Sequence, residues 1–169
     1  MSPDGVLMPM NLELEEGVLG ACLLDSRCVI PLMAILDEGC FYKVEHKEIW
    51  KSVVRIVGQG IPLDMLVVVN DLRSVGKLEM VGGAYFVANL SNKVSSAANV
   101  EFHARILVQH KASREVIRIG GDLQVGGFDP GKDGIEMLGW AQNEIQGTRV
   151  GRSRCLARIP VGRCGQGGS

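Results

Sequence analysis

From Ala97 to Gln146 apolar residues recur at helical spacing, and a single Gly/Pro-rich stretch, Gly126-Gly-Phe-Asp-Pro-Gly131, interrupts them. Val100, Ile106, Leu107, Ile117 and Leu123 lie before the break; Ile135, Leu138, Ala141 and Ile145 lie after it. Two helices joined by a short turn lie antiparallel. The first rod is too long to be covered by the residues that precede it. The hairpin has one partner within the chain, so its remaining apolar positions need burial elsewhere, and a symmetric homo-oligomer is the natural solution.

Upstream, the pattern is also helical. Residues 1–10 read as a flexible arm. Asn11 is placed to cap a helix whose first turn holds Glu13, Glu15 and Glu16 near its positive end. Leu12, Val18, Leu19, Cys22 and Leu23 form its buried stripe. Gly17 and Gly20 each cost about 1 kcal/mol in a helix interior, which signals close packing of a neighbour or a tolerated weakness. Ser26 is a candidate cap for a short helix carrying Val29, Leu32, Ile35 and Leu36, with Pro31 restricted to its first turn. A third helix spans about Val44 to Val57, with Ile49, Val53, Ile56 and Val57 on its apolar face. Asp64 caps a fourth, Met65 to Val75, despite the strand-like Val67-Val-Val. Gly82-Gly83 opens a fifth, with Tyr85, Phe86, Val87 and Leu90. No alternating strand pattern stands out, so the expected class is all-α: a small helical head over 11–96, a long helical hairpin over 97–146 and an Arg/Gly-rich tail over 147–169 that reads as disordered.

Charge is divided unevenly along the 169 residues. The net value is −1, yet Arg149, Arg152, Arg154, Arg158 and Arg163 give the tail +5 with no acid. The remainder, with 13 Lys/Arg against 19 Asp/Glu, carries −6. An acidic body is a poor surface for phosphate backbones, so DNA binding by the globular part is expected to be weak. No apolar run approaches the ~18 residues that span a bilayer, and the N-terminus lacks a basic, apolar leader. The expectation is a cytoplasmic protein with no membrane partner. Five irregularly spaced cysteines argue against a disulfide framework.

The candidates for chemistry are weak. Gly126-Gly-Phe-Asp-Pro-Gly-Lys-Asp133 nearly satisfies the phosphate-binding pattern G-x-x-x-x-G-K-[ST], but Asp133 would set a negative charge beside the phosphates and no strand precedes Gly126. An inter-helix turn with Asp133 as a cap is the simpler reading. His103 and His110 share a helical face about 10 Å apart, too far for one zinc ion. Cys155 and Cys164 have no second ligand pair. His46 reads as a helix-surface residue, and no nucleophile–base–orienter set is visible. Glu101 and Arg105 form a favourable i,i+4 pair. No cofactor, metal or catalytic residue is expected.

Five segments, in order, resemble one known family. They are Asn11-Leu-Glu-Leu-Glu-Glu-Gly-Val-Leu-Gly-Ala, Phe41-Tyr, Ile61-Pro-Leu-Asp, Leu78-Glu-Met-Val-Gly-Gly-Ala-Tyr and Ser96-Ala-Ala-Asn-Val-Glu-Phe-His-Ala-Arg. Together they resemble the N-terminal domain of the bacterial replicative DNA helicase of the hexameric DnaB type, over roughly Asn11 to Gln146. The resemblance implies a helical head and hairpin, hairpins paired into dimers, three dimers in a collar, and a docking platform for primase. It implies an ATP-driven motor in a separate C-terminal domain, which these residues do not contain, so this chain is expected to be noncatalytic. After Gln146 the likeness ends, and the expectation is a truncated or frameshifted fragment in preference to a stand-alone regulator.

The resemblance assigns the position of Phe86 to the primase-facing surface. Tyr85 beside it cannot share its direction, so one of the two is expected to be exposed. Ile117 and Leu123 are further primase-contact candidates, with burial in the hairpin or its dimer as the alternative. Ile106, Leu107, Ile135, Leu138 and Ile145 are the oligomer-interface candidates. Two rival functions remain: a minimal P-loop ATPase using Lys132, and a nucleic-acid-binding regulator acting through the basic tail.

Overall fold

The computed structural model describes residues 7–94 and 97–148; the Arg-rich stretch from Arg149 onward lies outside them. Seven α-helices and two 3-10 turns make up the described part, with no strand among those residues. The all-α class expected from periodicity is the class observed.

α1 (Leu12–Leu24) starts as its sequence dictates, with the Asn11 side chain accepting from Leu14 N at 3.0 Å. The next turn differs from expectation. Asp25, rather than Ser26, caps a 3-10 turn over Ser26–Cys28 by accepting from Arg27 N, and α2 (Val29–Ile35) continues from it without a side-chain cap of its own. Pro31 falls in the first turn of α2, where its missing N–H is harmless. A second 3-10 turn, Glu38–Cys40, leads to α3 (Val44–Gly58). α4 (Met65–Ser74) is capped by Asp64, whose carboxylate accepts from Val67 N at 2.8 Å. α5 (Gly83–Asn92) is entered through Gly82 and Gly83, both at positive φ (95° and 74°), a conformation that disfavours side chains.

The head core is aliphatic around two aromatic rings, Phe41 and Trp50, whose centroids lie 5.6 Å apart. Val18, Leu19, Cys22, Leu32, Ile49, Val53, Leu72, Val87 and Leu90 are buried there. Gly20 makes the crossing of α1 and α5 possible: a Cβ at that position would lie 2.2 Å from the Leu90 carbonyl oxygen. Gly17, by contrast, faces open space. Of the two readings of these glycines, close packing holds for one and tolerated weakness for the other.

α6 (Val100–Gly127) is 28 residues long, about 42 Å at 1.5 Å per residue. Its first turns belong to the head, because Val100, Ala104 and Leu107 are buried in the head core. The packing boundary between head and hairpin therefore falls inside α6 rather than at its start. α7 (Gly134–Gly147) returns along the far half of α6, with Ile119 and Ala141 buried in the seam. Near the tip, the Met137 thioether end lies over Gly126.

Candidate protein-interaction surface

Helical periodicity divides the hairpin into two sides. Ile119 and Ala141 point into the seam. On α6, Val116, Gly120, Leu123 and Gly127 follow one another at four- and three-residue steps and make one stripe beside the seam. On α7, Leu138 and Ile145 flank Ala141 at three and four residues, with Ile135 a further three back, and extend the same apolar side. Ile135, Leu138 and Ile145 are 81%, 69% and 63% exposed, and Val116 is 72% exposed. Leu123 is half-buried and Ile117 exposed.

The opposite side is held by charge. Arg118 donates to Glu115 and Asp122 on its own helix and reaches Glu144 on α7 at 2.5 Å. The carboxylates around it raise the Arg118 pKa, Glu144 first and then Glu115. An ion-pair network thus braces one side of the hairpin, beside the exposed Val125 and Trp140, while Val116, Ile135, Leu138 and Ile145 on the other stand largely exposed.

Leu107 requires a correction. It stands among the oligomer-interface candidates by periodicity, yet it is completely buried in the head core and presents no surface to a second protomer. Its stripe is apolar because the head covers that turn of α6. Ile106, one position earlier, is half-buried and outside the core cluster.

The two aromatics of α5 separate as the sequence requires. Tyr85 is 79% exposed. Phe86 is half-buried; its ring stacks on the imidazole of His46 with centroids 6.0 Å apart and planes 10° from parallel, and Lys43 Nζ lies 5.8 Å from its centroid. A Cβ at Gly82 would touch Phe86 Cβ at 3.1 Å, so Gly82 also makes room for this side chain, whereas Gly83 faces open space.

His46 corrects another expectation. It is fully buried rather than on the helix surface, and Nδ1 lies 2.7 Å from Glu15 Oε2, which is also buried. The Glu15 carboxylate also accepts from Tyr42 N (2.7 Å) and Lys43 N (3.4 Å), at the start of α3. A side chain of α1 thereby satisfies backbone donors at the N-terminus of α3 that have no intrahelical partner. The sequence signal was available: Glu15 occupies a position of the α1 stripe (Leu12, Glu15, Val18, Leu19, Cys22), and His46 does so in α3 (His46, Ile49, Trp50, Val53).

Residues 128–133 form the turn between α6 and α7, and Gly126 and Gly127 are still helical. Asp133 Oδ1 accepts from Ile135 N at 2.7 Å and Glu136 N at 3.4 Å, and Asp129 Oδ1 accepts from Gly131 N at 2.9 Å. The carboxylate that departs from the phosphate-loop pattern serves as a helix cap. Among the described residues, no group of three or more His, Cys, Asp or Glu side chains stands together as a metal site, and no single helix is long and apolar enough to cross a membrane.

The model of the DnaB-like helicase N terminal domain family matches residues 7–109, more than half of the chain, and the chain belongs to that family. It is 36% identical over 83% of its length to the replicative DNA helicase DnaB of Rhodothermus marinus, and 33% identical over 77% to that of Geobacillus stearothermophilus. It spans only 15% and 28% of those two proteins. The crystal structure of the N-terminal domain of DnaB helicase from Mycobacterium tuberculosis superposes with a TM-score of 0.78 at 29% identity, over 83% of this chain and 99% of that one. The structure of a DnaB-like replicative helicase and its interactions with primase shares the fold, with a TM-score of 0.64 at 19% identity, over 86% of this chain and 33% of that one.

Proposed function

We propose that this chain is a noncatalytic assembly and docking module for DNA replication. Its hairpin pairs with a second copy, from dimer up to a hexameric collar, and its α5 side together with the hairpin receives primase. The observation that carries the reading is the side of the hairpin bearing Val116, Leu123, Ile135, Leu138 and Ile145: large aliphatic side chains grouped on one surface mark a contact site. The family supports the same reading, because relatives that match this chain are replicative helicases of which it spans the smaller part, and a protein of the same fold has been described with its interactions with primase. ATP hydrolysis and unwinding are assigned to the remaining length of such proteins. The acidic body grips DNA weakly, and the module works in the cytoplasm without cofactors.

Tyr85, Phe86, Ile117 and Leu123 remain the proposed primase contacts, and Ile106, Ile135, Leu138 and Ile145 the proposed contacts between copies. Titration of the cognate primase into wild-type protein and into Tyr85→Ala tests the docking surface. An exposed aromatic anchor contributes about 1–2 kcal/mol, so affinity should fall at least about fivefold in the variant. Equal affinity would remove α5 from the docking surface.

A further inference from the structure

We infer that Arg114 is the positioning residue that fixes the direction in which the hairpin leaves the head. The apolar grip of the head on α6 ends with Leu107 and the partly buried Val108. The next buried aliphatic residue of α6 is Ile119, which belongs to the seam with α7. Between them, polar ties hold the stem.

Lys111 Nζ reaches Asp37 Oδ2 at 2.5 Å. One turn on, Arg114 gathers backbone from two separate segments. Its Nη1 donates to the Pro9 carbonyl at 2.8 Å, and its Nη2 donates to the carbonyls of Gly39 (2.7 Å) and Cys40 (3.2 Å). The guanidinium carbon lies 5.8 Å from the centroid of the Tyr42 ring, within cation–π range. Gly39 and Cys40 end the 3-10 turn Glu38–Cys40, where carbonyls lack helical partners and favour a cation. A planar guanidinium serves divergent acceptors at once; an ammonium on a flexible stem does not hold the same geometry.

The clamp sits at the base of a lever. From Arg114 to the end of α6 is about 20 Å at 1.5 Å per residue, so a 10° swing at the clamp moves the tip by about 3–4 Å. That exceeds what a packed helix interface tolerates without repacking. Where the hairpin pairs with another copy, a consequence that rests on the proposed function, Arg114 sets the angle between heads across the pair.

The test is a distance distribution between spin labels on genetically encoded ketone side chains at Glu79 in the head and Gln124 in the hairpin, both exposed. Labelled full-length chain is diluted in excess unlabelled chain, so the distance is intramolecular and is read whether or not copies associate. Arg114→Ala should broaden the distribution about twofold, with Arg114→Lys intermediate, while helical content and cooperative unfolding persist. If Arg114→Ala fails to fold, Arg114→Lys decides alone: a broader distribution in the folded variant upholds the clamp. An unchanged width in the folded variants overturns it.

Discussion

In α1 every residue from Val18 to Cys22 is buried, whereas α7, a helix of similar length, buries Ala141 alone. Both helices carry aliphatic side chains at helical spacing. The difference lies in the number of partners: α1 packs against α3, α5 and α6, and α7 against α6. The head surrounds its helices and can therefore accommodate a buried Glu15–His46 pair. The hairpin is one helix thick on each side of its seam, so its apolar side stays uncovered within one chain. Head stability should thus depend on internal packing and satisfied polar groups, and hairpin burial on association.

The largest effect should follow from emptying the polar centre of the head. Glu15→Ala leaves Tyr42 N, Lys43 N and His46 Nδ1 without their acceptor, and denaturant unfolding should show a loss of about 3–5 kcal/mol. A loss under about 1 kcal/mol would mean the pair is incidental to the head.

A glycine comparison sharpens the packing argument. Gly20→Ala drives a methyl into the Leu90 backbone and should cost about 1–3 kcal/mol. Gly17→Ala, three residues away in the same helix but facing open space, should raise stability by up to about 1 kcal/mol. Thermal unfolding should therefore shift in opposite directions. Equal shifts would contradict the close approach of α1 and α5.

Smaller still is the polar tie between α3 and α4. Arg55 donates to both Asp71 oxygens and Ser52 Oγ donates to Oδ2, and the Arg55 guanidinium holds the Asp71 carboxyl below its ordinary range. A carboxylate with a lowered folded pKa stabilises above its unfolded value, about pH 4, and that contribution is lost as pH falls below it through the folded value. Because the pair is partly solvated, Asp71→Asn should cost about 0.5–1 kcal/mol at neutral pH. The difference from wild type should shrink as pH falls below about 4; a difference that stays constant as the carboxylates titrate would rule out the assignment.

The helices were legible because their signals are local. Asn11 and Asp64 cap where the sequence places them, and the hairpin folds within the Gly/Pro-rich stretch, although α6 continues through Gly127 before it turns. The misplaced features depend on what lies opposite a helix. The stripe that carries Leu107 looks the same whether a head or a second protomer covers it. His46 reads as a surface residue unless the acid on the α1 stripe is paired with it across 31 positions of sequence. Arg114 gave no signal, because its acceptors are backbone carbonyls that any sequence supplies.

The central claim is that the uncovered side of the hairpin is closed by a second copy of this chain. Sedimentation equilibrium of the wild type beside a Leu138→Glu/Ile145→Glu double variant tests it most directly. The account predicts dimers or larger assemblies for the wild type at micromolar concentration, and a monomer of unchanged helical content for the variant. A monomeric wild type at about 100 μM, where even a weak specific pair would form, or a variant that assembles as the wild type does, would contradict it.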